Sequence, residues 1–367
     1  MKNKGFTLVE LLTVIAILAL LVIIALPNVL KMFNQAKKDT FLTEAKNIYK
    51  EISKKYISET MKGNKINIIS NTNNQLDLES NNLKYNIKLK GDGSIKKFQV
   101  SNGTYCLSGK FNNLSELTTD KITEGECEIR EPKDFSTDSW ETIVEAVEEG
   151  NTSKYNVGDT KDVELEGYGK HTLRIANKST PSECSTSGFS QTACGFVLEF
   201  ADLITTHPMN DSATNNGGWP ATTMRTFVND SIYNALPSDI RNSIINTTVV
   251  SGIGSSDSSG SATCFKSTDK LYLLAPREIY NNYDGTYDTA NSLTRTLDYY
   301  ITQGVTTTNY SGAIKRGENI SYNQWWWLRN ANSQFNYSFS MVYDDGSFIN
   351  NFGANQSIGV SPAFRIG

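Results

Sequence analysis

The segment Phe6-Thr-Leu-Val-Glu10-Leu-Leu-Thr-Val-Ile-Ala-Ile-Leu decides the fold of the first part of the chain, and it follows a short basic stretch that ends at Gly5. The apolar run continues to Leu30, and Glu10 is its only charged residue. A carboxylate inside a membrane helix costs about 2.5 to 3.5 kcal/mol on insertion scales, so it needs a purpose. In an ordinary secretory signal the small cleavage residue follows the apolar core, whereas here Gly5 precedes it. Cleavage after Gly5 would keep the apolar helix and place Glu10 one turn from a new amine at Phe6.

This order of glycine, phenylalanine, acid and a later proline at Pro27 resembles the class III leader and N-terminal helix of type IV pilins and pseudopilins. The resemblance implies that prepilin peptidase cleaves after Gly5 and that Phe6 becomes a methylated N-terminus. It also implies that Glu10 neutralises the Phe6 ammonium of a neighbouring pilin subunit in the fibre. The subunit would be a single-pass membrane protein before assembly and part of an extracellular pilus afterwards, in a Gram-positive bacterium. The open alternative is a simple membrane anchor with an isolated acid.

The helix is expected to continue well beyond the membrane span. Apolar residues recur mostly at three- and four-residue steps, with lysines and acids between them, which is typical of an amphipathic helix. They are Leu30, Phe33, Ala36, Phe41, Ala45, Ile48, Ile52 and Tyr56. We therefore expect one long helix, bent at the proline, whose outer half packs on a globular domain.

The next segment predicts a small antiparallel sheet, as in pilins. Leu83, Tyr85, Ile87 and Leu89 alternate with polar residues, and Asp92-Gly is a strong hairpin turn. The fold class is therefore α+β. The predicted boundaries are a leader at 1–5, a helix at 6–60 with a membrane span at 6–30, a β domain at 61–130, a linker at 131–138 and a second domain at 139–367.

Charge and cysteine content limit the possible functions. A net charge of -4 without a basic stripe gives no reason to expect a nucleic-acid partner, unless the protein serves DNA uptake. The five cysteines suggest sequential disulfides in an extracellular protein, Cys106 with Cys127 and Cys184 with Cys194, leaving Cys264 over. The alternative is that all remain thiols. No cysteine or histidine spacing predicts a zinc site, and no cofactor is expected.

The second domain should be rich in loops. A helix is predicted from Trp140, capped by Ser139 or Asp138, and two more around 223–229 and 237–245. Seven stretches together resemble the C-type lectin-like fold of formylglycine-generating enzymes and of the target proteins of diversity-generating retroelements. They are Tyr155-Asn-Val-Gly-Asp, His171-Thr-Leu-Arg-Ile, Gly218-Trp-Pro-Ala-Thr-Thr-Met-Arg-Thr-Phe-Val-Asn, Leu236-Pro, Leu271-Tyr-Leu-Leu-Ala-Pro-Arg-Glu, Trp326-Trp-Leu-Arg and Gly359-Val-Ser-Pro-Ala-Phe. The chain departs from this family at Ser361, where an arginine is usual.

The sequence gives little support for an enzyme. His171 lies in an apolar alternation typical of a strand histidine, and His207 stands in a predicted turn. The resemblance to formylglycine-generating enzymes implies a pair of active-site cysteines in the C-terminal part, but no cysteine follows Cys264. Two acidic turns, at 281–288 and 343–347, lack the full calcium-loop spacing, so no metal site is predicted.

The segment from Asn330 to Gln356 is the predicted ligand-binding face. It is rich in Asn, Ser, Tyr, Phe and Asp, the composition of adaptable binding surfaces, and Trp326 and Leu328 should form the core beneath it. The predicted ligand-binding residues are Asn330, Asn332, Ser333, Asn336, Tyr337, Tyr343, Asp345, Phe348 and Asn350. The retroelement resemblance implies that the asparagine codons are diversified, and the alternative is an ordinary polar hairpin.

These features predict a minor or tip subunit of a type IV pilus that acts as an adhesin or receptor for a protein or glycan. The large outer domain argues against a bulk major pilin, because every repeat of the fibre would have to accommodate it. The alternative is a pseudopilin of a type II secretion or DNA-uptake system. An enzyme tethered to the envelope is the third possibility, and it lacks the residues for catalysis.

Overall fold

The structure, a computed structural model, describes residues 8–71, 74–78, 82–127, 132–255, 264–317 and 324–367. Gly5 and Phe6 lie outside these residues. The chain forms two compact units, residues 1–129 and 130–367. The architecture is α+β, as predicted: a long helix and several mainly antiparallel sheets.

Helix α1 spans Leu8–Met61 without interruption at Pro27. Its first part is apolar and exposed, and it is long and apolar enough to cross a membrane. From Phe41 onward one face of the helix is buried, because Phe41, Ala45, Ile48 and Ile52 pack under a sheet with at most 1% of their surface exposed. The amphipathic pattern therefore correctly predicted which half of the helix packs on a globular core.

Unit 1 places five strands against this face, in the order β1-β2-β3-β4-β5. The strands are β1 (Ile68–Ser70), β2 (Lys84–Leu89), β3 (Ile95–Ser101), β4 (Tyr105–Gly109) and β5 (Ile122–Glu124). The predicted β2–β3 hairpin is confirmed, and its Gly93 has a φ of 82°, with Tyr56 packed where a Cβ would stand. A disulfide joins Cys106 to Cys127, as predicted.

The predicted linker at 131–138 is wrong in its described part, because residues 132–138 are folded into unit 2. Phe135 is fully buried and meets Trp140 and Tyr155 at centroid distances of 6.1 and 5.8 Å. The side chain of Asp134 accepts a hydrogen bond from the backbone N–H of Ser136 at 2.9 Å. The polar residues of this segment form a turn in which side chains accept hydrogen bonds from the backbone N–H groups of the same turn. The one aromatic residue of the segment, Phe135, belongs to the core of unit 2.

Unit 2 contains six further helices and eleven strands within its described residues. The helices are α2 (Trp140–Glu149), α3 (Thr223–Phe227), α4 (Tyr233–Ala235), α5 (Ser238–Arg241), α6 (Pro276–Ile279) and α7 (Asp298–Thr302). The strands are β6 (Thr160–Leu165), β7 (Gly169–Asn177), β8 (Val197–Phe200), β9 (Thr205–His207), β10 (Thr247–Ser251), β11 (Phe265–Asp269), β12 (Trp326–Ala331), β13 (Ser338–Val342), β14 (Phe348–Gly353), β15 (Ile358–Val360) and β16 (Ala363–Arg365).

The helices of unit 2 largely confirm the sequence predictions. The side chain of Ser139 caps α2 by accepting a hydrogen bond from the N–H of Thr142, and Gly150 ends the helix with a φ of 69°. The helix predicted near 223–229 exists and continues through a π-helical turn into α4. The helix predicted at 237–245 is only the short α5.

Three sheets organise unit 2. One has the order β16-β8-β7-β6, another β14-β13-β12-β15-β9, and β10 pairs with β11. Trp326, Trp327 and Leu328 in β12 are fully buried, so the predicted core beneath the hairpin is confirmed. His207 lies in β9 rather than in a turn, and its ring stacks on Phe227 at 4.2 Å. A second disulfide joins Cys184 to Cys194, and Cys264 is unpaired, both as predicted.

Candidate ligand-binding surface

The predicted binding face is a three-stranded arrangement of β12, β13 and β14 at one edge of the five-stranded sheet. Every residue of β12 and β13 is buried, whereas β14, the edge strand, alternates between half-buried and exposed positions. A ligand can therefore contact this arrangement only along β14 and at the two ends of β13. The buried strands provide a rigid support.

Asn330 and Asn332 are buried, so the prediction that they contact ligand is wrong. Asn330 is 2% exposed, and with its amide turned to suit its neighbours it donates to Asp288 Oδ1 at 2.9 Å. Asn332 is fully buried, donates to the backbone oxygen of Asn350, and accepts from the N–H of Gln334 at 2.7 Å. The Asn330 amide therefore bonds to buried side chains, whereas the Asn332 amide bonds to the backbone, and composition alone could not distinguish either residue from a surface asparagine.

Four of the predicted residues that flank β13, of which Ser333 is half-buried and the others are exposed, divide between the two ends of the strand. Ser333, Asn336 and Tyr337 lie in the connection before the strand, and Tyr337 is 39% exposed. Asp345 lies in the turn after it. Because a strand of five residues spans about 17 Å, one small ligand cannot contact both ends at once. Asn350, half-buried on β14, lies alongside the strand.

Tyr343 and Phe348 are half-buried and help to hold the β13–β14 turn. The ring of Tyr343 stacks on Trp325 at 4.5 Å, and Phe348 meets the edge of Tyr283 at 5.0 Å. Gly346 in this turn has a φ of 89°, and a Cβ there would stand 2.2 Å from the backbone oxygen of Tyr310. Asp345 accepts the N–H of Ser347 at 2.8 Å. The turn is therefore fixed by close packing.

The sequence prediction included Tyr343 but missed the other members of an aromatic strip to which this tyrosine belongs. We define the strip as Trp325, Tyr343, Phe352 and Ile349: the three rings are half-buried, and Ile349 is 36% exposed. The rings of Trp325 and Phe352 meet edge to face at 5.5 Å. The register pairs Ile349 with Met341 and Phe352 with Phe339, which places Ile349 and Phe352 on one face across an irregular strand. The run of three tryptophans was the available signal, but only Trp326 was assigned a role, as part of the core, and Trp325 was not considered.

Buried ion pairs support the sheets. Glu278 is fully buried and binds the guanidinium of Arg329 at 2.5 Å. Glu199 lies between Arg174 and Lys315, with the Lys315 Nζ 2.6 Å from Oε2. Burial lowers the pKa of Lys315 to about 8 although Glu199 opposes this shift. Burial acts to raise the pKa of Glu199, but the two cations outweigh it and hold that pKa at about 2.

Two residues considered for chemistry belong to these structural networks. The ring nitrogens of His171 meet Asp202 Oδ2 at 3.1 Å and the backbone oxygen of Tyr168 at 3.2 Å, so it is a satisfied strand histidine, as predicted. Ser361, where the lectin-like family usually has arginine, accepts from Lys315 at 2.9 Å and donates to the backbone oxygen of Phe200. Neither side chain is placed to act on a substrate at the surface.

The acidic turns bind their own backbone. Asp284 Oδ1 accepts from the N–H and the hydroxyl of Thr286, much as Asp345 accepts from Ser347. These bonds lower the pKa of both carboxyls. Within the described ranges, no group of three or more His, Cys, Asp or Glu residues is arranged to hold a metal ion.

Comparison with known families supports the reading of the N-terminus. Residues 1–26 match the model of the prokaryotic N-terminal methylation motif, and residues 196–367 match a domain of unknown function (DUF6273). No curated protein and no solved structure matches the chain. The chain is thus pilin-like in its N-terminal segment, with pilin assembly and prepilin peptidase processing as the general implication. The second match covers the candidate surface, and its description gives no lectin-like assignment.

Proposed function

We propose that this pilin-like subunit is a minor or tip component of a type IV pilus, and that unit 2 acts as an adhesin or receptor for a protein or glycan. The observation that carries the proposal is the aromatic strip beside the buried strands β12 and β13. Half-buried aromatic side chains offer large contact area at low entropic cost. A fixed support means that little conformational freedom is lost on binding.

The proposal needs the anchor as well as the surface. Helix α1 provides a membrane-length apolar segment, and unit 1 gives its outer half a core of its own. Unit 2 has a separate core, so a binding domain can vary without disturbing the assembly helix. This division suits a protein that displays a ligand-binding domain on a fibre, and the role requires no catalytic group.

The proposal is tested by comparing Ile349→Ser with Ile301→Ser in cells that assemble pili. The two isoleucines are 36% and 45% exposed, and Ile301 lies on α7, outside the strip, which makes it a matched control. We expect both variants to reach sheared pili in normal amounts. Only Ile349→Ser should lower adherence of the pili to a panel of immobilised glycans and extracellular proteins.

Two outcomes contradict the proposal. Equal adherence of both variants and of a deletion strain would show that the surface binds nothing on the panel. A deletion that abolishes protein secretion or DNA uptake while adherence persists would favour the pseudopilin alternative.

The diversification hypothesis becomes more specific with the structure. Substitutions among sibling strains should avoid the codons of Asn330 and Asn332, because these side chains are buried and hydrogen-bonded inside the domain, and should cluster at Asn336, Asn350 and Asn351. Sequencing the segment in related strains tests this pattern. An even spread over all asparagine codons would indicate neutral drift.

A further inference from the structure

Arg365 lies at the end of β16, an edge strand of the four-stranded sheet, and so belongs to a different sheet from the aromatic strip. The side chain is half-buried, and its Nε is buried without a hydrogen-bond partner. Within the described residues, the guanidinium makes one hydrogen bond, from Nη1 to Gln191 Oε1 at 3.3 Å. Nη2 of Arg365 therefore has no hydrogen-bond acceptor among the described residues.

Arg365 has a buried guanidinium nitrogen but no carboxylate partner within the described residues. Four other arginines of unit 2 each bind a carboxylate: Arg174 with Glu199, Arg225 with Asp269, Arg295 with Asp298 and Arg329 with Glu278. No carboxylate within the described ranges lies at ion-pair distance from Arg365. Burial lowers its pKa, and Tyr272 offsets this only in part. A desolvated cation without a counter-ion is costly, so its retention calls for a partner.

The surroundings of the guanidinium suit an anion. Gly195 has a φ of 76°, and a Cβ built there would stand 3.3 Å from Nη2 and 3.9 Å from the hydroxyl of Thr180. The glycine thus lets the guanidinium and an exposed hydroxyl donor approach the same place. The loop is fixed by the Cys184–Cys194 disulfide and by the hydrogen bond from the N–H of Gly195 to the oxygen of Ser179 at 2.9 Å.

We infer that Arg365 and Thr180 form a binding site for an oxyanion, the carboxylate, sulfate or phosphate group of a ligand. Arg365 would donate a hydrogen bond to the oxyanion from Nη2, and Thr180 would donate one from its hydroxyl. The hydrogen bond from Nη1 to Gln191 would orient the guanidinium. Charge-assisted hydrogen bonds of this kind are the strong ones, and arginine is suited to planar or tetrahedral oxyanions. This site is independent of the adhesin proposal, because it uses neither the strip nor the hairpin.

The test measures the melting temperature of the full-length chain in detergent micelles. Chloride is replaced by acetate, sulfate or phosphate at constant ionic strength, and wild type is compared with Arg365→Gln, Thr180→Val and Arg241→Gln. The side chain of Arg241 bonds to the backbone oxygen of Asn234 and lies elsewhere in unit 2, so this variant is the control for charge. Sulfate stabilises proteins in general because it is excluded from their surfaces. The evidence for a site is therefore the difference in the anion-dependent melting-temperature shift between wild type and the variants.

We expect the anion-dependent rise in melting temperature in wild type and Arg241→Gln to exceed that in Arg365→Gln. The apparent Kd should increase about tenfold or more in Arg365→Gln, since a charge-assisted hydrogen bond contributes roughly 1.5 to 3 kcal/mol. Thr180→Val should give a smaller increase. The ranking of acetate against sulfate and phosphate distinguishes a planar from a tetrahedral ligand group. Equal shifts in all four proteins would overturn the inference.

A second measurement decides the matter if Arg365→Gln does not fold. Phenylglyoxal modifies accessible arginines in the wild-type chain, and mass spectrometry follows Arg365 and Arg241 separately. Bound sulfate should slow modification of Arg365 and leave Arg241 unchanged. Equal modification rates with and without sulfate would contradict an oxyanion site.

Discussion

At the scale of single residues, the same side-chain type takes opposite roles according to its partners. Asn330 is buried against the carboxylate of Asp288 and Asn332 against the backbone of Asn350, whereas Asn336, a few residues later, is exposed. Composition predicted a polar hairpin correctly but could not separate these roles. The separation depends on which amide reaches a buried hydrogen-bond partner, and this is settled by tertiary packing. Sequence reasoning missed the uncompensated Arg365 for the same reason.

Glu10 provides the first test at this scale. It lies in the first turn of α1, in an apolar segment. Glu10→Gln should insert into the membrane at least as well as wild type, because a neutral amide costs less there. It should enter pili poorly, because the N-terminal amine of a neighbouring subunit would lose its counter-charge. Membrane fractions and sheared pili, probed by immunoblot, separate the two steps. Normal incorporation would show that the carboxylate has no assembly role.

Asp288 provides a test with a defined pH dependence. Burial raises the pKa of this carboxyl from 3.8 to about 6, although the N–H of Ala290 and the amide of Asn330 oppose the shift. Because the folded-state pKa is the higher one, its stabilising contribution is present below about pH 4 and is lost as the pH rises through 6. The loss is about 3 kcal/mol for a shift of roughly two units.

The measurement is the free energy of unfolding of wild type and Asp288→Asn, by denaturant titration between pH 4 and 7. The difference between the two proteins should move by that amount in favour of the variant as the pH rises. A difference that stays constant would mean that Asp288 keeps an ordinary pKa in the folded protein.

At the scale of elements, the sequence predicted what is periodic and missed what depends on long-range pairing. The alternation in β2 and the three- and four-residue steps of α1 follow from local geometry, and both elements lie where they were expected. The short strand β5 and the burial of Phe135 were missed. A three-residue strand is too short to show an alternation of apolar and polar residues, and a single aromatic residue in a polar segment shows no hydrophobic periodicity.

The hairpin predicts a graded response to substitution. Trp326 is fully buried, donates to the backbone oxygen of Ala313 at 3.2 Å, and lies 4.6 Å from the Nζ of Lys315. Trp326→Ala should cost about 3 to 5 kcal/mol in unfolding free energy. Tyr343→Ala should cost less, since only its stack on Trp325 is lost, at about 0.5 to 1.5 kcal/mol beyond area burial. Asn350→Ala should be nearly neutral, because Asn332 donates to the backbone oxygen of Asn350, which alanine keeps.

Thermal unfolding of the full-length variants in one detergent gives this ranking directly. A loss for Tyr343→Ala as large as that for Trp326→Ala would place the tyrosine in the core, and the aromatic strip would then be a poor candidate for ligand contact.

At the scale of the whole molecule, the two units solve separate problems. Unit 1 joins an assembly helix to a small sheet stapled by the Cys106–Cys127 disulfide, and unit 2 builds its own core from three sheets and a second disulfide. The sequence predicted this division because the motifs at the N-terminus are local and specific. The sequence predicted less of the candidate binding surface. The two ends of that surface are separated by the buried strand β13, and composition does not indicate that this strand is buried.

The last prediction concerns the mature chain. The residues up to Gly5 are basic and precede the apolar run, and the methylation motif covers residues 1–26. Cleavage after Gly5 leaves the membrane helix in place, so processing changes the N-terminus without releasing the protein. Intact-mass spectrometry of protein from sheared pili should therefore give a chain that begins at Phe6 and carries one methyl group. A Gly5→Leu variant should retain Met1, remain in the membrane fraction and be absent from pili, since the peptidase would lose its cleavage glycine. Assembled protein that begins at Met1, or at a residue beyond Leu30, would contradict the assignment of the leader and with it the pilin-type assembly of the chain.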